Sequence, residues 1–218
     1  MKPHRFPNVA VRATGWGEDL LVTLELDEDG SPVFFREQNP YKCPLSAAMM
    51  AGIENIKISE PGFGGWTDIP TSVTAVSHLV QPHPSYFGTC PESTVMAVRS
   101  AQPGFPRACT VLADGQTPEK GSISLYFKRV SPPDIEVQLG LFAELLKATS
   151  TEESCVCLLV DSGGFETCDQ VVQASRAIGL KPREQLTLQP YYREHAVIAC
   201  ECRLENIVVS QLVKAAGR

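Results

Sequence analysis

Residues 155–164 read Cys155-Val156-Cys157-Leu158-Leu159-Val160-Asp161-Ser162-Gly163-Gly164, and a helical pattern follows from about Glu166 to Ile178. Six apolar residues in succession, without polar alternation, mark a strand buried on both faces, which needs helices packed against it. The helix that follows lays Cys168, Val171, Val172 and Ile178 on one stripe, with Gly179 suited to its C-terminal end. Upstream, Ser131-Pro132-Pro133-Asp134 opens an amphipathic helix carrying Ile135, Leu139, Phe142 and Leu146 on one face. Downstream, Gln185–Gln189 and His195–Cys202 read as a strand pair joined through Pro190-Tyr191-Tyr192-Arg193-Glu194. A closing helix is predicted from the spacing of Leu204, Ile207, Val208 and Leu212. This order predicts an α/β (or α+β) fold, a mixed sheet with helices packed on it.

The chain changes grammar near residue 133. Fifteen of its 17 prolines lie at or before Pro133, and proline blocks helix interiors. The first part, 1–133, is therefore expected to be β-rich and rich in proline and glycine, and the second, 134–218, to be α/β, the two forming one compact unit around a shared sheet. Strand-like runs in the first part are Leu20–Leu26, Pro32–Arg36, Ile53–Ile58, Ser72–Val80, Ala108–Leu112 and Ile123–Val130, with Asp29-Gly30 as a hairpin turn. One helix is predicted there, from near Pro91 to about Ser100.

A composition of 43% hydrophobic and 20% charged residues over 218 positions is that of a globular chain, not a disordered one. The formal charge of −6 lacks the basic footprint of a nucleic-acid binder, so nucleic acid is not expected as a partner. No apolar stretch approaches the roughly 20 residues of a membrane span, and the start Met1-Lys2-Pro3-His4-Arg5-Phe6-Pro7 lacks a secretory apolar run. These features predict a soluble, cytoplasmic protein with reduced cysteines and no membrane association. The pairs Cys155-x-Cys157 and Cys200-x-Cys202 each place two thiols on one face of a strand. Zinc sites favour C-x₂₋₄-C on turns, so core packing is the expectation, with no metal and no cofactor.

Several segments carry candidate chemistry. Cys90 follows the loop Gln81-Pro82-His83-Pro84-Ser85-Tyr86-Phe87-Gly88-Thr89 and precedes the predicted helix, where the dipole would stabilise a thiolate nucleophile. His195 can approach such a site through the fold; the plainer reading makes Thr89 an N-cap. Asp161 stands at a strand's carboxyl end, where open α/β sheets bind ligands, and Gly163 and Gly164 offer backbone N–H groups to an anion. Asp161 can instead shape its own turn. Asp161-Ser162-Gly163 matches the aspartic protease tripeptide, but no second Asp-Ser/Thr-Gly exists in the chain. Trp66, Tyr86, Phe87, Tyr191 and Tyr192 cluster beside proline and glycine, either as a partner-binding surface or as plugs onto the core.

A further turn, Glu60-Pro61-Gly62-Phe63-Gly64-Gly65, follows the strand-like Ile56-Lys57-Ile58. Taken with Ser131-Pro132-Pro133-Asp134 and the final strand pair, this layout is similar to that of Rossmann-like methyltransferases, over roughly Ile53 to Cys202. The resemblance implies that Glu60, Gly62 and Gly64 cradle the methionine end of S-adenosylmethionine, and that the Pro-Pro loop positions an accepting atom. Two positions depart from the pattern. The helix after the glycines would be short and interrupted by Pro70, and Ser131 stands where Asn or Asp is usual.

Two classes of function follow. The first is a binding or assembly protein whose proline- and aromatic-rich loops engage a protein partner or a second copy of the chain. The second is an enzyme on a small anionic substrate, using Cys90 or the Asp161-Gly163-Gly164 turn, including a degenerate Rossmann-like methyltransferase.

Overall fold

The computed structural model describes residues 2–3, 9–12, 21–26, 32–56, 64–72, 86–88, 109–111, 120–161 and 164–209. The expected turn at Asp29-Gly30, all of the expected strand Ser72–Val80 but Ser72, which ends a 3-10 turn, and the helix near Pro91 lie outside them.

The first four strands, β1 (Lys2–Pro3), β2 (Val9–Arg12), β3 (Leu21–Leu26) and β4 (Pro32–Gln38), form an antiparallel sheet of order β1-β2-β4-β3. A short helix, α1 (Pro44–Met50), follows, with Pro44 in its first turn and the Cys43 thiol accepting from Ser46 N. Proline is tolerated there because its missing N–H has no helical partner anyway.

The remaining strands build one seven-stranded sheet: β5 (Gly64–Thr67), β6 (Tyr86–Gly88), β7 (Cys109–Val111), β8 (Ile123–Val130), β9 (Ser150–Val160), β10 (Lys181–Thr187) and β11 (Ala196–Arg203). Their order is β10-β11-β9-β8-β5-β6-β7. The five from β9 to β7 run parallel, and β11 and β10 add antiparallel at the β9 edge. The expected mixed sheet with packed helices is what forms. The chain steps outward from β5 through β6 to β7, then returns to place β8 and β9 on β5's other side. Such a reversal opens a crevice at the carboxyl ends of the two central strands, here β5 and β8.

Helix α2 (Ile135–Thr149) and helix α3 (Phe165–Ala177) cover one face. Ile135, Leu139, Phe142 and Leu146 are all buried there, with Tyr126, Val156, Leu158, Val171 and Ile198. On the other face Leu45, Ala47 and Ala48 of α1 pack on Leu125, Phe127, Cys155, Cys157, Leu159 and Val197. Both faces are therefore dry, which is why β9 ends in the unbroken apolar run Cys155–Val160 and β11 opens with another, Ala196–Cys200. A register irregularity between Ile123 and Leu125 lets these residues, two apart, serve opposite faces. Gly179 has φ +89 directly after α3, and Gly179 N and Leu180 N bond the carbonyls of Arg176 and Ser175. That is the glycine C-terminal motif the sequence predicts.

Three expectations need correction. Residues 53–56 are not a strand; Glu184 of β10 holds this segment by accepting from Glu54 N, Asn55 N and Asn55 Nδ2. The closing helix is absent among the described residues: Leu204–Asn206 is a single 3-10 turn, after which Ile207 drops into the core in extended form. Its apolar spacing serves a close crossing instead, since Val208 N bonds Ile178 O. Trp66 is no surface residue. It is 4% exposed, and its ring lies 5.7 Å from that of Phe142 and 6.2 Å from that of Tyr126.

No helix among the described residues is long and apolar enough to cross a membrane.

Candidate functional site

Asp161 caps β9 at the carboxyl edge of the sheet, and its carboxylate gathers three segments of the chain. Arg129, near the end of β8, donates from Nε to Oδ2 at 2.6 Å. Ser131, just past β8, donates from Oγ to the same oxygen at 2.6 Å. His195, entering β11, brings Nε2 to 3.2 Å from Oδ1. This last contact lacks hydrogen-bond alignment, so Oδ1, shielded from solvent, has no hydrogen-bond donor among the described residues. The cluster forms because parallel β8 and β9 end side by side, with Asp161 N bonded to Val130 O at 3.0 Å.

Its supports are built in. Gln138 of α2 accepts from Ser131 N and donates to Ser131 O at 2.5 Å, fixing the loop on both sides. His195 Nδ1 lies 2.7 Å from the carbonyl oxygen of Arg193, which assigns the proton to Nδ1. The Tyr192 ring packs edge-on to His195 at 5.7 Å. Burial, with the Cys43 thiol a lesser cause, pushes the Tyr192 phenol up to about 12, so it stays a neutral donor. Glu194 sits between these residues at φ 60, a left-handed conformation that a non-glycine side chain adopts only under local constraint.

A second acid stands at the end of β5. Asp68 Oδ1 accepts from Arg129 N at 2.8 Å, and Oδ2 accepts from Lys128 Nζ at 2.5 Å. Beside it Thr67 donates to Phe127 O at 2.7 Å and accepts from Ile69 N at 3.0 Å. Gly64, expected in a ligand-cradling turn, lies inside β5 instead, paired with Ile123. The residues at β5's carboxyl end are Thr67-Asp68-Ile69-Pro70. They do not fit the glycine turn that S-adenosylmethionine would require of this fold, because each adds side-chain bulk where backbone must approach the ligand.

The other expected residues fall as follows. Gly164 is the exposed N-cap of α3, and Cys90, Glu60, Gly62 and Gly163 lie outside the described residues. Tyr86 and Phe87 belong to β6, between β5 and β7, rather than to a loop. Tyr191 and Tyr192 are half-buried against the α1 face, with Tyr41 edge-on to Tyr191. The two Cys-x-Cys pairs sit on neighbouring strands but face opposite sides of the sheet, so their four thiols cannot converge on one ion. Burial pushes the Cys202 thiol up to about 12 and raises Cys200 too. Among the described residues no group of three or more His, Cys, Asp or Glu is placed to hold a metal.

The residues that sequence reasoning missed are Arg129, Lys128 and Asp68. A charged residue ending the apolar run 123–130 is the same signal that singled out Asp161, and it pointed equally to Arg129.

No family model matches the chain. Among curated proteins it is 30% identical over 241 residues to the rRNA 2'-O-methyltransferase fibrillarin of Debaryomyces hansenii, covering 91% of this chain and 70% of that protein. It is 30% identical over 217 residues to that of Eremothecium gossypii, covering 88% of this chain and 64% of that protein. The chain thus spans about two thirds of the length of these relatives. Among solved structures, the Methanococcus jannaschii fibrillarin pre-rRNA processing protein aligns with a TM-score of 0.64 at 12% identity, covering 88% of both chains. Aeropyrum pernix fibrillarin, in complex with natively bound S-adenosyl-L-methionine, aligns with a TM-score of 0.63 at 17% identity, covering 88% of this chain and 97% of that one.

These findings correct three expectations. Relatives named for acting on rRNA overturn the exclusion of nucleic acid as a partner, for which net charge was a poor guide. The cytoplasmic placement falls with it, since the curated relatives, from Eremothecium gossypii to Arabidopsis thaliana, are named as rRNA methyltransferases. The protein-binding reading gives way to the methyltransferase alternative as the better match. On identity and coverage together, the chain belongs to the fibrillarin family.

Proposed function

We propose that this chain acts on RNA, seating a ribose 2′-hydroxyl at Asp161 and the adjoining phosphate on Arg129. The observation that carries this reading is Asp161 Oδ1, a shielded carboxylate oxygen with no hydrogen-bond donor among the described residues. Leaving a buried acceptor unsatisfied costs on the order of 1–3 kcal/mol, so a ligand that donates there is favoured. A 2′-hydroxyl donates, and it is the group by which proteins tell RNA from DNA. The curated relatives are named for chemistry at that oxygen. With Nδ1 of His195 donating to the Arg193 carbonyl, the ring is held so that Nε2, 3.2 Å from Oδ1, borders the same spot as a second polar partner for an incoming hydroxyl.

Arg129 supplies the complementary charge. Its Nε is engaged by Asp161, yet the side chain is 56% exposed, leaving terminal N–H groups for a phosphate. The protein's negative total charge does not oppose this, because at a Debye length of about 8 Å only nearby charges count.

The test is fluorescence anisotropy with a single-stranded rRNA fragment and its 2′-deoxy counterpart. The expected result is RNA binding about tenfold tighter, the worth of one hydrogen bond to a charged acceptor. Equal affinity for the two would refute the ribose contact.

A further inference from the structure

We infer that the crevice between β5 and β8 is closed to S-adenosylmethionine, making this chain a fibrillarin-family member that does not draw methyl groups from that donor. Two observations converge. First, the carboxyl end of β5 carries no glycine: Thr67, 1% exposed, ties its hydroxyl to Phe127 O, and Ile69, 5% exposed, is packed into the core. In doubly wound sheets, glycines at this corner let the backbone approach a nucleotide ligand, and each Cβ added there pushes the ligand out. Second, Asp68 accepts from two donors of β8, Lys128 Nζ and Arg129 N, which latches the end of β5 onto its neighbour and holds this glycine-free corner in place.

The inference does not depend on the RNA reading, because the ribose contact lies at β9 and the closed corner at β5. It is tested by isothermal titration calorimetry of S-adenosylmethionine into the full chain, paired with thermal melting in about 1 mM ligand. Aeropyrum pernix fibrillarin, which holds the donor natively, serves as the positive control, and a cooperative melt without ligand establishes that the sample is folded. The expected result is no saturable heat and an unchanged melting temperature. Saturable 1:1 binding with Kd of about 10 μM, accompanied by a melting shift of about 5 °C or more, would overturn it. Failure of RNA binding in the anisotropy assay leaves this result standing, and donor binding leaves the ribose contact standing, so the two readings fail separately.

Discussion

Asp68 and Asp161 end two parallel strands, β5 and β9, on the same edge of one sheet, with β8 between them. Both face the charged end of β8, yet they are used differently. Each oxygen of Asp68 accepts a hydrogen bond from β8, one from the Lys128 ammonium and one from the Arg129 amide. Asp161 crowds Arg129 and Ser131 onto a single oxygen and, among the described residues, leaves the other with the misaligned His195 contact alone. A saturated carboxylate closes a corner, and a half-saturated one keeps an acceptor for a visitor. On the ribose reading proposed above, the same residue type serves structure at one strand end and recognition at the next.

Substitutions can break this contrast. The largest effect is expected from Asp68→Ala, which takes the carboxylate from the Lys128 ammonium, 17% exposed, leaving it the Arg129 carbonyl, and leaves the Arg129 amide unpaired. Chemical denaturation should show a loss of about 2 kcal/mol, while discrimination between ribose and deoxyribose survives. An unchanged midpoint would mean that the corner is not latched. Asp161→Asn should reverse the pattern, weakening RNA binding about tenfold while costing about 1 kcal/mol or less of stability, since its Arg129 contact is largely solvated. Arg129→Met should weaken binding several-fold and lower the slope of log affinity against log salt by about one, the mark of one lost phosphate contact.

The smallest effect concerns a carboxylate remote from both corners. Burial raises the Glu184 carboxyl, but its bonds from Asn55 and Glu54 outweigh that and hold it below the usual glutamate range. A pKa lowered in the folded state contributes stability above the unfolded value and loses it as pH falls through the folded one. Glu184→Gln should therefore flatten the acid limb of the stability profile by less than about 1 kcal/mol, with no change near Asp161. Melting curves collected between mildly acidic and neutral pH would show it.

Legibility followed locality. Cys155–Val160 and the helix face Ile135, Leu139, Phe142 and Leu146 were readable because burial on both faces, or on one stripe, leaves a periodic trace. Gly179 was readable because only a left-handed residue closes that helix end. Helix α1 was missed: seven residues starting at a proline offer no period, and its stability comes from packing on Leu125 and Phe127. Trp66 misled because glycines beside it suggested a loop, whereas they let a short strand pass between two parallel neighbours. Asp161 and His195 were each identified as candidates, but nothing in the chain announces that Arg129 and Ser131, some thirty residues earlier, converge on the same carboxylate. That convergence follows from β8 and β9 being adjacent and parallel, which only tertiary structure supplies.

The most direct test of the account is the ratio of RNA to 2′-deoxy affinity, measured by anisotropy for the unaltered chain and for Asp161→Asn. A ratio near ten that collapses toward one in the variant is the predicted result, as one charge-accepted hydrogen bond would give. A ratio that survives the substitution would place ribose recognition elsewhere and contradict the role assigned to Asp161.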